Sequence, residues 1–153
     1  MKDRSAAEQL AGFIAKYTPE IGAAAKAALA KMRKRLPGAV ELVYDNYNAL
    51  AIGFGPTERA SEAILSIAVY PRWVSLFFLR GAGLRDPQKL LKGSGKQVRH
   101  IVLDDVRLLD EPAVRALVSQ ALEAAAKPLD AKARRRIVIK SVSAKQRPRR
   151  HGG

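Results

Sequence analysis

Residues 64–79 read ILSIAVYPRWVSLFFL, two apolar runs separated by Pro71 and Arg72. Short runs rich in β-branched and aromatic residues on either side of a turn are typical of a β-hairpin. The second run, residues 73–79, carries apolar side chains on both of its faces. Because helices on one side of a sheet cannot cover both faces, we expect either another segment or a second copy of the chain, in a homodimer, to cover the other face.

The segment before the hairpin also predicts strands. Val40, Leu42 and Tyr44 alternate with Glu41 and Asp45, which indicates a half-buried strand whose apolar side faces the core. The other expected strands cover residues 49–54 and 98–103. Short links between neighbouring strands predict an antiparallel sheet.

Three helices are expected around these strands. Ser5 and Thr18 are suited to cap the first two helices, and Pro19 fits the first turn of the second. Asp110 is suited to cap the third helix, which follows the last of these strands. The predicted fold class is therefore α+β, with an antiparallel β-sheet packed against N- and C-terminal helices in a two-layer sandwich.

The composition excludes several classes of protein. The 153 residues fit one domain, and none of them is cysteine. Disulfide frameworks, thiolate zinc sites, iron–sulfur ligation and thiol catalysis are therefore excluded. No apolar stretch approaches the roughly 20 residues of a membrane span, and the first residues are too polar for a secretory signal. We expect a cytoplasmic protein with no membrane partner.

Positive charge is concentrated toward the carboxyl end. The net charge is +14, and residues 127–153 hold ten Lys or Arg against a single acid, Asp130, which gives +9 for that stretch. We therefore expect residues 1–126 to form the single domain and residues 127–153 to form a basic, partly disordered tail. Such a tail gains free energy when it releases counterions from a polyanion.

The tail supplies the candidate contacts to nucleic acid. These cations are Arg134, Arg135, Arg136, Lys140, Lys145, Arg147, Arg149 and Arg150. The apolar run at residues 137–139 is able to form an edge strand, and after Ser141 the chain is expected to be mobile. Six such contacts to DNA would give a salt slope near −5, from about −0.9 per phosphate. The tail has no aromatic residue, so base stacking there is not expected. The alternative is a solvated run of charge without a partner.

A second candidate site for an anion is the glycine loop, residues 93–99. Its proposed ligands are Gly93, Ser94, Gly95, Lys96 and Arg99. Glycines allow backbone N–H groups to converge on an oxyanion, and the two cations add charge. The loop is not a phosphate-binding P-loop, because Leu90 and Gln97 occupy positions that require Gly and Ser or Thr. The alternative is a plain connector between strands.

No catalytic or metal-binding constellation is recognisable. His100 has no second histidine or carboxylate at ligand spacing, and nothing makes it a base for Ser94. The acidic pairs at residues 104–105 and 110–111 fit a loop and a helix start. We therefore expect no catalytic residue, no metal and no cofactor, and an enzyme is not the favoured class.

The pattern over residues 41–124 resembles the YdhG-like domains, catalogued as domain of unknown function 1801. The resemblance is carried by Tyr44, Tyr70, Pro71, Phe78, Leu79, Gly81, Leu91, Gly93, Gly95, Lys96, Arg99, Ile101 and Leu109. It implies a frataxin-like sandwich with a curved antiparallel sheet and two flanking helices. It also implies a small-ligand pocket near Tyr44 and the glycine loop.

Some relatives in that family are described as iron chaperones, a role that in frataxin-like proteins depends on an acidic helix. The corresponding helix here departs from that pattern. Its charged residues are Lys26, Lys31, Arg33, Lys34 and Arg35 with Glu20. A cationic face repels a metal cation. The leading expectation is therefore a binding module for nucleic acid or another polyanion. The alternatives are a YdhG-like small-ligand or iron carrier, and a protein-interaction module that forms a homodimer.

Overall fold

A computed structural model describes residues 5–150, so the last three residues of the predicted tail lie outside the described part. Along the described chain, two helices are followed by five strands, then by a third helix and a sixth strand. The elements are α1 (Ala6–Ala15), α2 (Pro19–Arg35), β1 (Val40–Asp45), β2 (Leu50–Gly55), β3 (Leu65–Val69), β4 (Val74–Phe78), β5 (Arg99–Val102), α3 (Pro112–Ala124) and β6 (Arg136–Val142). Short 3₁₀ turns cover Ala60–Glu62, Gly81–Gly83 and Val106–Asp110.

The six strands form one open sheet in the order β5-β4-β3-β2-β1-β6. Neighbours from β1 to β5 pair antiparallel, as expected. The predicted hairpin is confirmed, since β3 pairs with β4 and the Tyr70 N–H donates to the Trp73 carbonyl at 2.9 Å. The α+β class is confirmed. The sheet is not wholly antiparallel, however, because β6 pairs parallel with β1.

One core cluster joins all three helices to one face of the sheet, which we call the helix face. Among its fully buried members are Tyr17, Met32, Leu50, Phe54, Ile67, Leu76, Phe78 and Leu109. The Tyr17 hydroxyl donates to the Val69 carbonyl at 2.6 Å and accepts from the Leu50 N–H at 3.2 Å. This polar tip therefore has partners on two strands despite its burial.

Two of the three predicted helix caps are confirmed. The Ser5 hydroxyl accepts from the Glu8 N–H, and the Thr18 hydroxyl accepts from the Ile21 N–H. The prediction for Asp110 is wrong, because α3 begins after Glu111 and has no side-chain cap. The Asp110 carboxylate instead forms ion pairs with Lys31 and Arg35 of α2, each at 2.6 Å. Lys31 and Arg35, in the second half of α2, therefore form ion pairs with the acid that the sequence predicted as a helix cap.

The predicted orientation of β1 is inverted. Glu41 and Asp45 are both completely buried and lie on the helix face, beside Val43 of the core. Leu42 and Tyr44 lie on the opposite face, opposite Gly53 and Ala51 of β2. Burial of a carboxylate is tolerated only when cations and hydrogen bonds compensate for the lost water. β1 meets that condition with partners from distant parts of the chain.

Glu41 is held by α2. The Arg33 guanidinium donates to both Glu41 carboxylate oxygens, at 2.8 and 2.7 Å, in the bidentate geometry that suits this pair. Arg135, which directly precedes β6, approaches the same carboxylate at 3.9 Å. The first buried acid of β1 therefore ties together a helix, a strand and the segment that leads into β6.

The carboxyl-terminal segment, residues 127–150, does not follow the expectation of a tail that becomes mobile after Ser141. It adds β6 to the sheet, and the Ser143 N–H donates to the Asp45 carbonyl at 2.9 Å. Arg149 is only 5% exposed and forms an ion pair with Asp45 at 2.9 Å. The pairing of Arg149 with the buried Asp45 carboxylate therefore attaches the end of this segment to β1.

The turn after α2 requires glycine because the carboxyl-terminal segment packs closely against it. Gly38 has φ of 80°, a left-handed conformation that favours glycine, and a Cβ atom there would lie 1.8 Å from the Asp130 carbonyl oxygen. The carboxyl-terminal segment therefore packs directly on the turn that ends α2.

Replacing Arg33 by Ala is expected to lower the free energy of unfolding by about 3–5 kcal/mol, because the buried Glu41 carboxylate would lose its main partner. Replacement of the exposed neighbour Lys34 by Ala serves as the control and is expected to change stability by about 0.5 kcal/mol or less. Urea unfolding measures both variants. Equal stabilities of the two variants would show that the Glu41 pair does not hold β1 in place.

Candidate functional site

The face of the sheet opposite the helices, which we call the open face, has no carboxylate among the side chains that its strands direct to it. Strand pairing aligns one row of residues across it. The row runs Lys92, His100, Phe77, Ser66, Gly53, Leu42 and Val138. Both acids of β1 point to the other side. An anion that approaches the open face therefore meets no negative strand residue.

Two aromatic pairs lie on the open face. Phe77 of β4 stacks on His100 of β5, with ring centroids 5.2 Å apart and ring planes at 29°. Tyr70 stacks on Trp73 across the hairpin turn at 4.6 Å and 21°. Trp73 is 42% exposed. The two pairs lie about 13 Å apart along β4, four residues at roughly 3.3 Å each. On the open face, Trp73 and Phe77 of this run therefore contact aromatic side chains of the same chain.

Between these pairs and the β1–β2 turn lies a trough of ≈ 560 Å³. Its floor is made of small residues from β2 and β3, and its walls include aromatic side chains. Floor and walls comprise Ala51, Ser66, Ala68, Tyr47, Tyr70 and Phe77. Asn46, Asn48 and Ser143 add polar groups at one side. A concavity of this size with apolar walls and few polar groups is typical of a ligand site.

Another part of the open face, around β2 and β6, is covered by the loop that follows β2. A Cβ atom on Gly55 would lie 3.0 Å from the Ala63 Cα atom, so the loop backbone packs directly on the strand. Arg136 of β6 forms an ion pair with Glu58 of the loop at 2.9 Å, and the Lys140 ammonium donates to the Glu58 carbonyl at 3.1 Å. The trough lies outside the area that this loop covers.

The glycine loop holds its own arginine. The Arg99 guanidinium donates to the carbonyls of Gly95, at 2.5 Å, and Val98, at 2.8 Å. Gly93 has a positive φ of 121°. Ser94 and Lys96 are exposed. Of the predicted anion ligands in this loop, Lys96 therefore offers a cation to solvent, whereas one guanidinium nitrogen of Arg99, Nη1, is bonded to backbone carbonyls.

Tyr44 and the glycine loop do not form a common pocket. Tyr44 is on β1, half-buried on the open face, and three strands separate it from β5. Strands about 4.8 Å apart place it some 19 Å from the loop strand. A small-ligand pocket that uses both, as the family resemblance implied, is not formed in this structure.

Five of the eight predicted nucleic-acid contacts take part in the fold. Arg149 is paired with Asp45, Arg136 with Glu58 and Arg135 with Glu41. Lys140 bonds to the Glu58 carbonyl, and the Arg150 guanidinium donates to the Lys16 carbonyl at 3.2 Å, at the end of α1. Arg149 is inaccessible to a partner, whereas Arg135, Arg136, Lys140 and Arg150 are exposed beside their internal bonds.

The other three, Arg134, Lys145 and Arg147, are exposed and have no carboxylate within ion-pair distance among residues 5–150. The Arg147 guanidinium lies 5.6 Å from the centroid of the Tyr47 ring, which lines the trough. Arg147 and Lys145 therefore place free positive charge beside the end of the trough that the β1–β2 turn forms.

Asp45 holds the part of the chain that carries these cations, because it binds Gln146 and Arg149 of the same segment. Its carboxylate accepts from the Lys16 ammonium at 2.6 Å and from Arg149 at 2.9 Å. The Arg149 guanidinium also bonds to the carbonyls of Asn46 and Tyr47. Burial by itself raises the pKa of Asp45, but hydrogen bonds from Lys16, Gln146 and Arg149 outweigh it and hold the pKa below its ordinary value of 3.8.

Among residues 5–150, no group of three His, Asp or Glu side chains is arranged to hold a metal ion. No helix in that range is long and apolar enough to cross a membrane. No family model, curated protein or solved structure matches the chain.

The trough was not predicted from the sequence. It is assembled from the β1–β2 turn and three strands, so no contiguous motif encodes it. The available signal was the set of small residues at alternate positions of neighbouring strands, Ala51, Ser66 and Ala68, next to aromatic residues.

Replacing Asp45 by Asn is expected to lower the free energy of unfolding at pH 7 by about 3–5 kcal/mol, because Arg149 and Lys16 lose their buried partner. The pKa of Asp45 is depressed by folding, so its contribution is present above 3.8 and is lost as the pH falls through the lower folded pKa. The difference between the wild type and D45N should therefore shrink in acid. Urea unfolding at a series of pH values measures it.

The control variant is Asp104→Asn, at an exposed position. It is expected to change the free energy of unfolding by no more than about 0.5 kcal/mol. A wild-type to D45N difference that stays constant into strong acid would contradict the assignment of the depressed pKa to Asp45.

Proposed function

We propose that the chain is a non-enzymatic binding module for nucleic acid. The observation that carries the proposal is the group of exposed cations without carboxylate partners, Arg134, Lys145 and Arg147, on a chain of net charge +14. Lys92 and Lys96 add exposed charge at the glycine loop. Cations of this kind release counterions from a phosphate backbone, which gives affinity without sequence preference.

The arrangement of the two cationic segments supports an extended polyanion. The carboxyl-terminal segment follows the β6 edge of the sheet and the glycine loop precedes the β5 edge, so the two lie on opposite sides of the open face. Five strand spacings separate these edges by about 24 Å. A phosphate chain that crosses the open face can meet both groups and no strand carboxylate between them.

The expected salt dependence of binding is weaker than the sequence alone predicted, because several of the predicted cations pair with acids of the same chain. If Arg134, Lys145, Arg147, Lys92 and Lys96 each contact a phosphate, the slope of log K against log salt is about −4.5. Removing the carboxyl-terminal segment is not a suitable test, because that would take away β6 and the cations of Glu41 and Asp45. Charge substitutions at exposed positions leave the fold in place.

The triple variant R134Q/K145Q/R147Q is expected to bind both DNA and RNA more weakly and to reduce the salt slope to about −2, since two of five phosphate contacts remain. Fluorescence anisotropy with labelled oligonucleotides over a salt series starting near 50 mM measures the slope. The matched control K26Q/K34Q/R115Q removes the same charge from exposed positions on α2 and α3.

The control should keep a slope near −4.5. Equal slopes for the two triple variants would mean that net charge alone attracts the polyanion. Absence of any binding by the wild type at low salt would overturn the proposed function.

The alternatives from the sequence receive less support. For an iron carrier, the α2 cations Lys31, Arg33 and Arg35 are paired with acids of the same chain, and Lys26 and Lys34 remain positive and exposed. For a homodimer through residues 73–79, Trp73 supplies an exposed apolar side chain. Sedimentation at high protein concentration tests the dimer.

A further inference from the structure

The trough on the open face combines a floor of small residues with aromatic walls. Its floor consists of Ala51, Ser66 and Ala68, so a planar group can come close to the sheet backbone without meeting a large side chain. Tyr47 and Tyr70 rise at its sides. A floor of small residues between aromatic rings favours an aromatic ligand that stacks over a flexible aliphatic one.

The aromatic groups are already arranged before any ligand arrives. Phe77 is stacked on His100 and Tyr70 on Trp73, so each pair presents a fixed ring surface with little side-chain freedom left to lose. An aromatic surface on a β-sheet is a general means of binding unpaired bases, since every base has a π-face. Two such surfaces about 13 Å apart on one strand serve more than one base of the same chain.

Polar groups at one side of the trough match the edges of bases. The Asn46 and Asn48 side chains offer both donors and acceptors, and Ser143 adds a hydroxyl. Asn48 is exposed at the turn, and the Asn46 carboxamide oxygen accepts from the Ser141 hydroxyl at 3.4 Å. This set is able to bond to several bases, so we expect weak sequence preference.

Charge complementarity identifies the occupant. Lys92 lies opposite His100 and therefore on the same face, at one end of the aromatic row. Arg147 lies over Tyr47 at the other end. A second copy of this chain would bring a net charge of +14 against the same cations, which disfavours a homodimer on this face. A nucleic-acid duplex offers the charge but keeps its bases stacked inside.

We propose that the trough binds the unpaired bases of a single-stranded nucleic acid whose phosphates contact Lys92 at one end and Arg147 at the other. The inference rests on the proposed function, because the same exposed cations hold the backbone. It adds that the chain selects single strands over duplexes and that the trough on the open face, rather than the exposed cations, contacts the bases.

The test compares three probes: a single strand of about 12 nucleotides, the corresponding duplex, and heparin, a polyanion without bases. Tyr47→Ala removes a wall residue that is 48% exposed, and Phe77→Ala removes the stacking partner of His100. Each is expected to weaken single-strand binding roughly fivefold to a hundredfold. Heparin binding should stay unchanged, because the cations are intact.

Two further variants test the floor of the trough and a position outside it. Ser66→Leu adds bulk to the floor and should weaken single-strand binding without removing any aromatic group. Val142→Ala changes a residue that is 52% exposed on β6, outside the trough, and should have no effect. Trp73 is the only tryptophan, so its fluorescence should be quenched by the single strand and not by heparin.

The outcomes separate this inference from the proposed function. Unchanged single-strand affinity in Y47A and S66L, together with weaker binding by R134Q/K145Q/R147Q, overturns the trough and leaves the proposed function standing. Equal binding of duplex and single strand by the wild type has the same meaning. A stable dimer in sedimentation with Trp73 shielded from solvent quenchers also overturns it. Failure of the wild type to bind any polyanion removes both.

Discussion

Burial of two carboxylates on one strand determines much of this structure. Glu41 and Asp45 lie on the helix face of β1, fully removed from water, where an unpaired charge would cost several kcal/mol. Arg33 of α2 pairs with the first acid, and Lys16 and Arg149 pair with the second. Both ends of the chain are consequently attached to the same strand, and β6 is held beside it.

This arrangement changes the meaning of the net charge. A count of +14 suggests a surface covered with available cations, yet Arg149 is buried and Arg33 and Lys16 hold internal acids. Positive charge in a folded chain is therefore divided between structural partners and solvent. The part left to solvent is smaller than the sequence suggests, but it lies around a face without strand carboxylates, where it can act together.

Features set by local chemistry were predictable, and features set by distant partners were not. The hairpin at residues 64–79 and the caps at Ser5 and Thr18 depend on neighbours within a few positions, and the structure confirms them. The face of β1 was assigned wrongly because the cations of Asp45 come from far away; Lys16 is 29 residues from Asp45, and Arg149 is 104. The exposed cations of the candidate site were partly identified from composition, whereas the trough requires the strand order, which alternation alone does not give.

The position of β6 has a further consequence for how the chain reaches its native state. Its partner β1 is synthesised some ninety residues earlier, and the two can pair only after the intervening strands and α3 exist. Long sequence separations of this kind slow folding and leave an unpaired strand edge open in the meantime. A nascent chain would carry Asp45 without its arginine until residue 149 has been synthesised, so the edge of β1 is vulnerable to aggregation throughout that interval.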